Sequence, residues 1–223
     1  MISVMILAAG RGERMRPLTD ACPKPMLKVN GKPLIEHHVE KLVANGLTDI
    51  VINCAWLGQQ IIDHFGDGQR WGANIRYSVE SEGALETAGG IINALNLVGE
   101  SDYLLVVNGD IYCDFDFSSV PALEDNKDMH LWLTENPTHH LKGDFSLSGG
   151  RVKPLGSGGE ALTYSGISLF RMAYFKQLRQ QPKVLPLGPL LKQAAQNGRA
   201  SGERLPGQWT DVGTPERLTA LNN

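Results

Sequence analysis

The 223 residues carry 21 Lys+Arg against 24 Asp+Glu, a formal charge of -3, and 42% of them are hydrophobic. That length and apolar content support one domain with a substantial core, and the near-neutral charge offers no basic face for a nucleic-acid backbone, so nucleic acid is not an expected partner. Cys22, Cys54 and Cys113 cannot all pair and show no CxxC spacing, and no apolar stretch approaches the roughly 20 residues of a membrane span, which excludes a disulfide framework, a zinc knuckle and a membrane partner and predicts a cytoplasmic protein.

The first predicted element is the apolar run 2–7. It lacks a basic leader and runs into Gly10 and Gly12, so it is expected to be a strand covered on both faces rather than a signal sequence. Pro33 opens a helix whose apolar positions Leu34, Ile35, His38, Val39, Leu42 and Val43 recur at helical spacing, and Gly46 stops it. A strand over 50–53, a helix over 59–65, a strand over 74–79 and a helix over 85–97 follow. The strand 103–107 then delivers Asn108, Gly109 and Asp110 to its C-terminal end. In the second half, strands are predicted at 129–134, 164–170 and 200–204, and helices at 173–180, 189–197 and 215–221.

This alternation argues for an α/β fold with a Rossmann-like, mixed, mainly parallel sheet and helices on both faces. In such sheets ligands bind beyond the carboxyl ends of the strands, the edge to which both Gly10-Arg11-Gly12 and Asn108-Gly109-Asp110 are assigned. Residues 1–223 are expected to form a single domain, with 1–115 mainly binding nucleotide and 116–223 supplying the acceptor side of a cleft.

Glycines after a strand let backbone N–H groups approach phosphate oxygens, and an arginine adds charge-assisted hydrogen bonds. A third dinucleotide-fold glycine is absent, since Met15 stands there, and the second strand ends at Asn53-Cys54 without an acid for a ribose. A nucleotide-dependent oxidoreductase is thereby disfavoured.

The run Leu7-Ala8-Ala9-Gly10-Arg11-Gly12-Glu13-Arg14-Met15-Arg16-Pro17-Leu18-Thr19, continuing to Pro23-Lys24-Pro25-Met26, resembles the signature of the sugar-1-phosphate nucleotidyltransferases. The resemblance extends through Glu86-Thr87-Ala88-Gly89, Asn108-Gly109-Asp110, Tyr164-Ser165-Gly166-Ile167 and Trp209-Thr210-Asp211-Val212-Gly213-Thr214-Pro215, nearly the whole chain. It implies a GT-A-like core without a C-terminal β-helix. Within the family, the short length, the lack of that β-helix and Gly143-Asp144-Phe145 resemble the uridylyltransferases that act on N-acetylmuramate 1-phosphate in peptidoglycan recycling.

The resemblance implies a magnesium ion held by Asp110 and Asp211, and two substrates, UTP and a sugar 1-phosphate. No protein partner is implied beyond a monomer or small homo-oligomer. A sugar phosphate is already an anionic nucleophile, so the site needs positive charge more than a proton shuttle. Arg11 and Arg16 suit the β- and γ-phosphates, and Lys24 resembles the family lysine that bridges the reacting phosphates. Ala8, Ala9, Gly10, Gly12 and Gly83 would contact the nucleotide through backbone. Glu80 is either the acceptor for uracil N3–H or an exposed strand-end charge. The positions matching the hexose pocket are Asn108, Gly143, Asp144, Glu160 and Gly166, and Lys142, Arg151 and Lys153 are candidates for the lactyl carboxylate of muramate.

Arg14 is expected to be a solvated loop charge, Asp114 and Asp116 turn or cap residues, His139 and His140 loop residues without partners at metal-ligand or triad spacing, and the tryptophans packing residues. The runners-up are a guanylyl- or thymidylyltransferase acting on another sugar phosphate, and a non-catalytic sensor of the same fold. Joint retention of Lys24, Asp110 and Asp211 argues against the sensor.

Overall fold

The computed structural model describes residues 1–80 and 85–223. The first half comprises β1 (Ile2–Ala8), α1 (Leu18–Ala21), the short ribbon β2 (Lys28–Val29) and β3 (Lys32–Pro33), α2 (Leu34–Ala44), β4 (Asp49–Cys54), α3 (Gly58–Phe65), β5 (Asn74–Val79), α4 (Glu86–Ala94), β6 (Tyr103–Asn108) and β7 (Ile111–Cys113). The second half adds β8 (Met129–Thr134), β9 (Phe145–Ser148), β10 (Arg151–Pro154), β11 (Glu160–Arg171), α5 (Met172–Gln177), α6 (Leu187–Gln196), β12 (Ala200–Arg204), β13 (Trp209–Asp211) and α7 (Pro215–Ala220).

Nine of the strands form one mixed sheet in the order β5-β4-β1-β6-β11-β8-β12-β10-β9. Strands β5, β4, β1 and β6 are mutually parallel. From β11 onward the pairing is antiparallel except between β8 and β12.

The apolar run of β1 is explained by burial on both faces. Val4, Ile6 and Ala8 join one core cluster with α2 and α3, while Met5 joins the opposite cluster with α4, α5 and α6. Strand β6 alternates in the same way, with Leu105 and Val107 on the first side and Leu104 and Val106 on the second. The period-2 pleat therefore feeds two cores.

The chain builds from β1 outward to β4 and β5, then crosses back to place β6 on the other side of β1. That reversal opens a crevice between the carboxyl ends of β1 and β6, where ligands bind in open α/β sheets. Three features are missing from the sequence-based assignment. Strand β7 pairs with β13 in a separate ribbon with Asp211 opposite Ile111, the hairpin β9–β10 extends the far edge, and β11 starts at Glu160 rather than 164. His38, buried on α2, donates from Nε2 to the carbonyl of Ile111 at 2.8 Å and anchors the start of β7. Burial holds this imidazole down at about 4, well below its usual range, so it stays neutral.

Candidate active site

The loop after β1 closes over itself through Gly12 and Thr19. Gly12 has φ +69°, and a Cβ there would stand 3.1 Å from Thr19 and 3.2 Å from the Lys24 side chain, so a bare backbone is needed for the loop to lie against the lysine. Thr19 Oγ1 donates to the Gly12 carbonyl at 3.0 Å. The turn of Lys24 to Met26 buries Lys24 to 9% exposure and points its ammonium at Asp110, with Nζ 2.5 Å from Oδ2. Those residues are 86 positions apart in sequence.

Two cavities meet at this ion pair. The larger, about 780 Å³, is walled by the β1 loop from Leu7 to Arg11 and also includes Lys24, Asn53, Trp56, Glu80 and Thr87. The smaller, about 410 Å³, is lined by Arg14, His139, His140, Gly166, Trp209 and Asp211 among others. Asn108 and Asp110 line both. Such a pair of adjoining pockets can hold two ligands with their reactive ends against one lysine and one aspartate.

Asp211 lines the smaller cavity together with Asp110, its strand β13 being paired with β7, and the Val212 amide donates to the Asp110 carbonyl at 3.0 Å. Two neighbouring carboxylates are hard oxygen donors that suit a divalent cation. Among the described residues no group of three or more His, Cys, Asp and Glu side chains forms a ready-made cage. Waters and substrate phosphates would therefore complete the coordination, the usual arrangement for small hard cations at phosphoryl-transfer sites.

Asn53 lies below the first cavity. Its Oδ1 accepts from the Ala8 amide at 2.9 Å and its Nδ2 donates to Glu80 Oε1 at 2.8 Å. Glu80 is accordingly not an exposed strand-end charge: it is buried, and desolvation raises its carboxyl above the usual range. Gly90 permits this packing, since a Cβ there would stand 2.6 Å from Glu80 Oε1.

Arg11 also lines this cavity. Its guanidinium lies 3.9 Å from the Trp56 ring centroid, and Arg11 Nη1 and Trp56 Nε1 both donate to the Thr19 carbonyl, at 2.9 and 3.0 Å. Trp56 is therefore part of the cavity wall, 39% exposed, and not simply a packing residue. Gly83 lies outside the described residues.

Several sequence-based candidates lie away from the linings of these two cavities. Arg16 does not face either cavity: its side chain is 56% exposed and pairs with Asp20 at 2.8 Å. The 3-10 turn of Glu13 to Met15 is the cause, because three residues per turn send Met15 into a core cluster and leave Arg14 to line the second cavity. Glu160 sits at the outer end of β11, bound to Arg204, and lines neither cavity. Gly143 and Asp144 frame the second cavity without lining it. Asp144 accepts from the Tyr164 amide at 2.9 Å and pairs with His140 at 3.0 Å, and the left-handed Gly143 (φ +71°) packs against the Leu162 carbonyl.

Arg151 and Lys153 lie on β10 at the far sheet edge, and they and Lys142 are absent from the lining of both cavities. His139 lies 3.2 Å from Asp211 and His140 3.0 Å from Asp144. Gly166, at φ +87° in the bulge of β11 opposite β8, presses against Asn108, where a Cβ would stand 2.8 Å from Nδ2. Asp116 caps the turn at Ser118, and Asp114 accepts from the Gln208 amide, as turn residues do.

The chain is 50% identical to an N-acetylmuramate alpha-1-phosphate uridylyltransferase from Neisseria meningitidis serogroup B, over 97% of this chain and 95% of the relative. It is 33% identical to a protein of the same name from Caulobacter vibrioides, covering 97% and 93%. A Bacillus anthracis crystal structure assigned as a glucose-1-phosphate thymidylyltransferase superposes with a TM-score of 0.85 at 22% identity, covering all of this chain and 94% of the other, which shows a shared fold. The nucleotidyl transferase family profile matches residues 3–140, the stretch that carries the β1 loop, Lys24 and Asp110, and the chain belongs to that family.

Proposed function

We propose that the chain transfers the uridylyl group of UTP to N-acetylmuramate 1-phosphate, giving UDP-N-acetylmuramate and pyrophosphate, as a magnesium-dependent cytoplasmic step of peptidoglycan recycling. The observation that carries the reaction type is the Lys24–Asp110 ion pair at the point where the two cavities join, with Asp211 held beside it. The substrate assignment is supported by the two uridylyltransferase relatives that align along nearly the whole chain.

In this reading UTP lies in the larger cavity, with its phosphates over the amides of Gly10 to Gly12 and beside Arg11. The sugar phosphate enters the smaller one, beside Arg14, Asn108 and Gly166. Its phosphate oxygen attacks the α-phosphorus in line with the departing pyrophosphate. Asp110 and Asp211 would hold magnesium, which supplies neutralisation of phosphate charge. Lys24 moves from Asp110 onto the phosphate oxygens as negative charge gathers there, so the transition state gains a contact that the substrate-free protein spends on a carboxylate.

The test is pyrophosphate release from UTP with magnesium and a panel of sugar 1-phosphates. Release with N-acetylmuramate 1-phosphate well above that with N-acetylglucosamine 1-phosphate is expected, and binding without release would point to a sensor instead. Trp56 gives a narrower check on the nucleotide half of the site. Replacing it by alanine frees Arg11 from its stacked position, and the KM for UTP is expected to rise about fivefold to tenfold with kcat nearly unchanged. Trp56→Phe keeps an aromatic face and should restore most of the affinity; a fall in kcat at constant KM would contradict this role.

A further inference from the structure

Asp211 has its own internal cation. Arg217, on α7, places Nη1 2.5 Å from both carboxylate oxygens of Asp211. The same nitrogen lies 2.8 Å from His139 Nε2, which is 3.2 Å from Asp211 Oδ1. Gly213 makes the approach possible: a Cβ there would stand 2.5 Å from Arg217 Nη2 and 3.1 Å from Asp211 Oδ2. Helix α7 is itself held by Leu218, which packs against the Met15–Leu34–Val212 cluster, and this fixes Arg217 within reach of the aspartate.

We propose that Arg217 is an internal counter-ion that opposes metal binding at Asp211 until anionic substrate enters the site. This rests on Asp110 and Asp211 being the metal-holding carboxylates. A divalent cation arriving at Asp211 meets a guanidinium already bound to both oxygens and must share or displace it, against direct charge repulsion. Lys24 imposes the same competition at Asp110. A triphosphate or sugar phosphate changes the balance, because its negative charge offsets the repulsion between the guanidinium and the cation. Metal and substrate then favour each other, a coupling that must be reciprocal.

The test is direct titration of the full chain with Mn2+ alone, following free Mn2+ by electron paramagnetic resonance, with no nucleotide present. Arg217→Gln keeps a hydrogen-bond donor but removes the charge, and is expected to bind Mn2+ about tenfold more tightly than the wild type, an estimate discounted for the partial exposure of the pair. Arg217→Ala is a second neutral variant with the same expected gain, and Arg217→Lys should match the wild type. Unchanged or weaker binding in the folded neutral variants would overturn the proposal, as would a lysine variant that behaves like the neutral ones. Adding Asp211→Asn to Arg217→Gln should abolish the gain; a gain that survives would overturn the metal assignment itself.

Discussion

Replacing Lys24 with alanine is expected to lower kcat for pyrophosphate release by about a thousandfold, with the fold retained and the KM for UTP changed far less. The expectation follows from where the ammonium sits. It is nearly buried at the junction of the two cavities and is held by a single carboxylate that is itself partly open to solvent. In-line transfer brings two polyanions together at that point, and a preorganised cation stabilises charge that accumulates in the transition state more than charge already present in bound UTP. Stability should suffer little, because the aspartate left behind can be hydrated. Steady-state kinetics and thermal unfolding of the variant decide the matter: activity within tenfold of wild type would remove Lys24 from the reaction.

Asp110→Asn is the second large effect, again about a thousandfold in kcat, with an increased requirement for magnesium. The substitution preserves shape, so it separates charge from packing at a residue that lines both cavities. It should also free Lys24 from its partner, and one consequence is non-additivity. The double variant is expected to be at most about tenfold worse than either single one, as for groups that act as a unit. Measuring kcat against magnesium concentration for all three variants provides the check. A variant with wild-type magnesium dependence would show that Asp110 does no more than hold the lysine in place.

Lys24 and Asp110 thus depend on each other before substrate arrives, and Arg217 and Asp211 repeat the arrangement on the second cavity. Each carboxylate is balanced by a basic residue of the chain itself. Trp56 has a comparable part on the nucleotide side, where it holds Arg11 between an aromatic face and the Thr19 carbonyl.

Much of this was legible in the amino-acid sequence alone. The apolar runs of β1 and β6 announced strands buried on both faces, and the glycines and Asp110 at their ends located the binding edge. Lys24 and Asp211 stood out only through the resemblance of their motifs to the nucleotidyltransferase signature. Tertiary structure alone decided that Arg14 rather than Arg16 faces a cavity, that Glu160 is bound to Arg204 outside it, that Asn53, Trp56 and His139 line the cavities, and that Arg217 pairs with Asp211. The physical reason is that periodicity reports how an element buries its own faces, whereas the direction of a polar side chain is chosen by partners from distant elements: Asn53 by Ala8 and Glu80, Lys24 by Asp110, and His139 by Asp211 and Arg217.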